Sequence, residues 1–263
     1  MNTHTNVARH PAAPLLAKNV IAVASGKGGV GKTWLSISLS HALALQRQKV
    51  LLFDGDLGLA NVDIQLGLMP KNDIASVLAG KRSFEQAVTR FADGGFDILA
   101  GRSGSGSLAG LGQAHLNNLR AGLVGVAEGY QMVVLDLAAG LDQGVQTLAT
   151  VAGTCLVVTT DEPTAITDAY ALIKMMVNAG RGASLRVVVN LADSKNEGRK
   201  TYDKLLKACE NFLNMAPPLA GVVRRDAKVK DSIRRQMPIL LRHPTSTASG
   251  DIARIADQLM NEP

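Results

Sequence analysis

Residues 20 to 46 constrain the fold more than any other stretch of this chain. Val20-Ile21-Ala22-Val23-Ala24 is a continuous apolar run of the kind a buried strand needs. It leads into GKGGVGKT, residues 26–33, where Gly26, Gly31, Lys32 and Thr33 fill the frame G-x-x-x-x-G-K-[ST]. Trp34 to Gln46 then reads as a helix, with Leu35, Leu39 and Leu43 near one face. A glycine-rich turn between a strand and a helix lets successive backbone N–H groups curl around an anion without a Cβ in the way. The helix points its positive end at the same place. The chemistry expected here is phosphate binding, with Lys32 reaching the β- and γ-phosphates and the Thr33 hydroxyl ligating magnesium. Gly26, Lys27, Gly28, Gly29, Val30, Gly31, Lys32, Thr33 and Trp34 are the expected nucleotide-binding residues, and ATP with Mg2+ the expected cofactors.

Apolar runs recur at α/β spacing, at 20–24, 49–54, 96–100, 131–136, 154–159, 185–190 and 219–223. Helical stretches lie between or after them, at 34–46, 112–128, 164–180, 200–214 and 248–261. This alternation predicts an α/β fold with a doubly wound, mostly parallel sheet and helices on both faces. No composition shift marks a boundary. The expectation is a flexible tail over 1–18 and one ATPase domain over 19–263, with SGSGS at 103–107 a surface loop inside it.

Two later strands end in carboxylates, where an open parallel sheet places its ligand crevice. One gives Phe53-Asp54-Gly55-Asp56, the other Val133-Val134-Leu135-Asp136. Thr33, Asp54, Asp56 and Asp136 are expected around the magnesium, Asp136 in its shell, with Asp56 also the group that positions the attacking water and Asp54 supporting it.

Composition excludes several classes. No run approaches 18 uncharged apolar residues, so no spanning helix is expected. The first 19 residues lack the continuous apolar core of a signal peptide. Cys155 and Cys209 stand alone with no C-x-x-C spacing, against iron–sulfur ligation and in keeping with reduced cytosolic thiols. The three tyrosines, Tyr130, Tyr170 and Tyr202, form no Tyr-rich tail of the kind phosphorylated in tyrosine kinases. Net charge is +6, and residues 224–242 supply +5 of it through seven basic and two acidic side chains. Such a stretch suits nucleic acid, anionic lipid or an acidic protein face, or is simply a solvated helix face.

Lys27 narrows the reading. The pattern K-G-G-x-G-K-[ST] resembles the deviant Walker A loop of the MinD/ParA ATPases. DGDLGLANVDIQLG (54–67) is similar to the switch I region of that family. TTDEPTAITDAYALIK (159–174) and residues 221–256 resemble its FlhG branch, also called FleN, which regulates flagellar number and placement. The resemblance covers roughly residues 19–260. It implies a slow Mg-dependent ATPase coupled to dimerisation, and a homodimer in the ATP state. In that dimer Lys27 touches the partner's nucleotide, so that Lys27, Lys32 and Asp56 form the catalytic set; the sequence shows no task for Lys27 inside its own chain. The resemblance also implies that Asn190 hydrogen-bonds adenine and that Asp226 lies in the loop closing over it. Relatives usually carry proline where this chain has Arg224, so a differently shaped loop is expected.

The leading functional expectation is an ATP-driven switch acting on a flagellar regulatory or assembly protein. One alternative is a ParA-type ATPase that positions DNA or cargo by binding DNA non-specifically through residues 224–242. Another is a MinD-type division-site regulator. The D-Q-A-x-x-L-R-like N-terminal segment of many FlhG proteins, which stimulates a partner GTPase, has no counterpart here. The last helix has Ile252, Ile255, Ala256 and Leu259 on one face. Its Asp251, Asp257 and Glu262 against Arg254 alone favour packing on the domain over stable membrane binding. A cytoplasmic location is expected, with room for enrichment at a cell pole.

Overall fold

The computed structural model describes residues 16–58, 60–101 and 110–261. The loop expected at 103–107 and most of the expected tail lie outside the described residues. Eight strands form one sheet: β1 (Ala17–Ser25), β2 (Val50–Gly55), β3 (Val88–Phe91), β4 (Phe96–Leu99), β5 (Met132–Ala139), β6 (Ala152–Thr159), β7 (Leu185–Ala192) and β8 (Leu219–Arg224). Their order is β3-β4-β2-β5-β1-β6-β7-β8. Every neighbouring pair is parallel except β3 with β4. All seven apolar runs are strands. β1 starts at Ala17, so Ala17 and Lys18 belong to the sheet and not to the tail. β3 escaped the sequence reading because VTRF is four residues long, half-exposed and continues a helix-like FEQA segment.

The helices are α1 (Lys32–Leu45), α2 (Val62–Leu66), α3 (Ile74–Leu78), α4 (Phe84–Ala87), α5 (Gln113–Ala127) and α6 (Gln143–Ala149). They continue with α7 (Pro163–Asn178), α8 (Lys195–Leu213), α9 (Ala227–Arg234), α10 (Ile239–Arg242) and α11 (Thr247–Asn261). α8 begins five residues before the expected start because the Ser194 side chain accepts the Glu197 N–H and caps it there. Residues on alternate positions of each central strand feed two cores. Val20, Leu51, Phe53, Val133 and Leu135 pack with α5 to α8, whereas Ile21, Val23, Leu52 and Val134 pack with α1, α2, α10 and α11. A strand covered on both faces has no polar side to show, which is why residues 20–24, 50–53 and 132–135 are uninterrupted by charge. Ile252, Ile255 and Ala256 of α11 are buried against the second core, so the apolar face of the last helix packs on the domain.

β1 sits between β5 and β6, and β5 lies between β1 and β2. Asp54 on β2 is in register with Asp136 on β5, and Ser25 with Ala139. This register brings the turn after β1 and both strand-end carboxylates to one edge of the sheet.

Candidate functional site

The turn after β1 is built around two glycines that nothing else can replace. A Cβ on Gly26 would fall 2.3 Å from the Asp168 carbonyl of α7, so the loop can pass only as glycine. Gly31 has φ +88, and a Cβ there would lie 2.4 Å from Asn190 Nδ2. Gly31 also caps α1 with no side-chain hydrogen bond, and no acidic residue stands in the first turn. The free N–H groups of a fourteen-residue helix therefore open into a turn lined by glycine, an arrangement that fits a phosphate.

Lys32, on the first turn of α1, is 8% exposed. Burial lowers its pKa, and Asp136 and Asp56 oppose that shift. Asp136 is fully buried, and burial raises its carboxyl to about 6 against the hydroxyls of Thr33 and Ser36 and the charge of Lys32. Ser36 Oγ donates to Asp136 Oδ1 at 2.9 Å. Asp54 is buried beside it and its pKa is pushed well up, first by burial and then by Asp136. Its Oδ1 accepts the Asp56 N–H at 3.1 Å and its Oδ2 the Val62 N–H at 3.4 Å. Asp54 thus braces the loop between β2 and α2, and its oxygens face backbone donors. Asp56, half-buried on that loop, is close enough to act electrostatically on both Lys32 and Asp136. Among the described residues no three His, Cys, Asp or Glu side chains form a cage for an ion. The donors suit magnesium, which keeps several waters and takes phosphate oxygens along with one or two protein groups.

The structure corrects the expectation that Lys27 has no task in its own chain. Its Nζ donates to Glu162 Oε2 and, at 2.8 Å, to Thr164 Oγ1 at the start of α7. Sequence reasoning passed over Glu162 and Thr164, although Pro163 at the first position of a helix signals that a helix N-terminus is there. The Lys27 side chain remains about a third exposed and Glu162 well over half, so the pair sits at the rim.

Asn190 is 1% exposed. Its Nδ2 donates to the Val30 carbonyl at 2.8 Å and its Oδ1 accepts the Leu191 N–H at 2.9 Å. It therefore ties the end of β7 to the glycine turn. Asp226 caps α9, accepting the Lys228 N–H at 2.9 Å, and reaches the Ala248 N–H of α11 at 3.2 Å. Trp34 is buried under α1 with Ile37, facing Leu66 and Ile233.

Arg224 makes a fork to Asp251 of α11, Nε to Oδ2 and Nη2 to Oδ1, both at 2.9 Å, while its backbone N–H donates to Oδ2 at 3.0 Å. Burial works against charge on Asp251, yet these bonds hold its carboxyl below the ordinary range. The arginine thus anchors the loop after β8 to α11 through a side-chain fork that proline lacks. Arg225 pairs with Asp193 at 3.2 Å, and Arg242 with Asp231 at 2.5 Å. Three of the seven cations in 224–242 are therefore neutralised, two of them by carboxylates outside the segment. Lys228, Lys230, Arg234 and Arg235 are exposed and form no ion pair among the described residues.

Comparison with known proteins agrees with this geometry. The profile of the CobQ/CobB/MinD/ParA nucleotide binding domain matches residues 21–239. Antiactivator FleN of Pseudomonas aeruginosa is 38% identical over 244 residues, covering 93% of this chain and 87% of that protein. Flagellum site-determining protein YlxH of Helicobacter pylori is 30% identical, covering 92% of this chain and 82% of that one. Among solved structures, MinD in the MinC:MinD complex of Aquifex aeolicus superposes with a TM-score of 0.78 at 27% identity, covering 93% and 96% of the two chains. MinD of Pyrococcus horikoshii with Mg-ADP shares the fold, with a TM-score of 0.76 at 24% identity over 92% and 96%. A glycine turn that carries two lysines, set beside paired strand-end aspartates and matched over most of its length, makes this chain a member of the MinD/ParA family of nucleotide-binding proteins.

Proposed function

We propose that the chain is an ATP-dependent dimerising switch that hydrolyses ATP slowly and regulates flagellar number or placement through a flagellar regulatory or assembly protein. The observation that carries the reading is the division of labour between two lysines of one turn. Lys32 is enclosed with Asp56 and Asp136, whereas Lys27 sits at the rim on an exposed carboxylate. The relatives FleN and YlxH support the flagellar side of the reading. Gly26 to Thr33 and Trp34 would hold the phosphates, Thr33 and Asp136 would hold magnesium directly or through water, and Asn190 and Asp226 flank the base. Bound magnesium would neutralise charge on the β- and γ-oxygens. Lys32 offsets the same charge from within the fold, and Asp56 accepts a hydrogen bond from the attacking water and aims it.

The ATP state is expected to be a dimer and the nucleotide-free and ADP states monomers. Lys27 then leaves Glu162 and Thr164 for the partner's phosphates, a small cost because an exposed ion pair contributes about 0–1 kcal/mol. Lys27→Ala is expected to bind ATP nearly as well as the parent but to stay monomeric. Light scattering with ADP, ATP and a non-hydrolysable analogue measures this. Equal mass in all three states of the parent protein sinks the dimer, and loss of nucleotide binding in Lys27→Ala assigns that lysine to its own chain.

A second reading, DNA as the partner, has the four unpaired cations on and after α9 in its favour. Arg234→Glu with Arg235→Glu separates the two. If DNA is bound, affinity falls and the salt slope drops by roughly 0.9 for each phosphate that the protein no longer neutralises. On the flagellar reading, DNA binding is negligible at about 150 mM salt, where attraction is screened within about 8 Å. Deleting the gene then alters flagella and leaves plasmid inheritance normal; the opposite pair of phenotypes establishes the DNA reading.

A further inference from the structure

α1 is buried nearly all round, yet it carries Ser36, Ser38 and Ser40 in its interior. Serine is a modest helix former and a costly residue to bury without a partner, so each hydroxyl invites a reason. Ser40 Oγ donates to the Ser36 carbonyl at 2.8 Å, an ordinary bond back to the preceding turn. Ser36 differs. Its Oγ lies 3.1 Å from the Lys32 carbonyl and 2.9 Å from Asp136 Oδ1. A hydroxyl has one proton, and a carboxylate is the stronger acceptor and here the nearer one. Thr33, three residues earlier on the same face of α1, is near enough for its hydroxyl to lower the Asp136 carboxyl. Two hydroxyls from successive turns therefore face one carboxylate at the end of β5, and the one that hydrogen-bonds it is Ser36.

The two are not equivalent. Thr33 is half-buried, whereas Ser36 is 0% exposed. We propose that Ser36 is a positioning residue for the metal: its hydroxyl fixes the carboxylate rotation of Asp136, leaving Thr33 free to offer its oxygen to magnesium. This rests on the reading of Asp136 as the carboxylate of the magnesium shell. Removing Ser36 takes away the hydrogen bond that α1 makes to Asp136, and a carboxylate free to turn no longer presents its oxygen where the metal needs it. Losing a partner that orients a metal-shell group typically weakens metal affinity 10–100-fold.

The experiment follows binding of a fluorescent, non-hydrolysable ATP analogue by anisotropy, first in EDTA and then with rising Mg2+. Ser36→Ala is expected to bind the analogue in EDTA as the parent does and to need about 10-fold more Mg2+ for the half-maximal response. Ser40→Ala removes an equally buried hydroxyl that touches only backbone, and its Mg2+ midpoint is expected to stay within about twofold of the parent. Should Ser36→Ala fail to fold, Ser36→Cys keeps the size with a weaker donor and is expected to shift the midpoint the same way by less. An unchanged midpoint in the folded Ser36 variant, or an equal shift in Ser40→Ala, overturns the proposal. Asp136→Asn separates this from the reading beneath it. If Asp136→Asn loses the Mg2+ response and the Ser36 variant does not, only the role of Ser36 falls; if neither moves, Asp136 is not in the metal shell and both fall.

Discussion

Asp56→Ala is expected to lower ATP turnover on the order of 10²-fold or more while leaving ATP binding and ATP-dependent dimerisation intact. Two of the bonds that hold the loop carrying Asp56 run from the Asp56 backbone N–H to Asp54 Oδ1 and from the Val62 N–H to Asp54 Oδ2. Alanine preserves both. What disappears is a negative group near Lys32 and Asp136, on the side where the reacting phosphate would sit. A water without an oriented acceptor attacks less often, and its proton has no nearby base. The binding groups, Lys32 and the free N-terminus of α1, are untouched. Single-turnover hydrolysis beside equilibrium nucleotide binding separates the two effects. Parental turnover in Asp56→Ala assigns water positioning to another group.

Asp136→Asn is expected to stabilise the nucleotide-free protein while removing its response to magnesium. Burial raises the Asp136 carboxyl to about 6, above the ordinary value of 3.8. The folded state therefore holds this proton more tightly than the unfolded chain does. The stabilising effect of the bound proton is full below about pH 4, declines as pH rises to about 6, and is gone above that. Near neutral pH the charged, buried carboxylate costs on the order of 3 kcal/mol at 1.36 kcal/mol per pH unit. Asparagine removes that cost, and Lys32 loses a counter-charge in exchange. The net gain is about 1–2 kcal/mol, roughly 3–6 °C in melting temperature for a chain of this size. Thermal melts without nucleotide should show the variant ahead near neutral pH and the gap closing as pH falls towards about 4. Adding Mg2+ and ATP should stabilise the parent more than the variant, because only the parent keeps the carboxylate proposed for the metal shell. A variant that melts below the parent near neutral pH without nucleotide contradicts the account of Asp136 as a destabilising, functional charge.

How far the site could be read in advance depended on whether its residues act near their own place in the chain. The glycine turn was legible because Gly26, Gly31, Lys32 and Thr33 work within eight residues of one another, between a strand and a helix that periodicity reveals. Asp136 was legible from its place at the end of an apolar run. Asn190 was found only by resemblance, and its bond to Val30 spans 160 residues. Lys27 shows the limit most directly: Glu162 and Thr164 lie 135 and 137 residues away and meet it only because β6 runs beside β1 and α7 begins where β6 ends. The charge count over 224–242 misled for the same reason, since Asp193 and Asp251 neutralise two of its arginines from outside the window.

The amino-acid sequence by itself determined the α/β class, seven of the eight strands and the glycine turn between β1 and α1. Each rests on local periodicity, or on glycine where no other residue fits the backbone. Only the tertiary structure decided which charges remain free, which carboxylates are buried, and that Ser36 meets Asp136. Those depend on side chains brought together by strand order, and burial is a property of the packed sheet, not of any segment. The short antiparallel β3 belongs to the same group: four half-exposed residues have too little pattern of their own, and pairing with β4 makes them a strand.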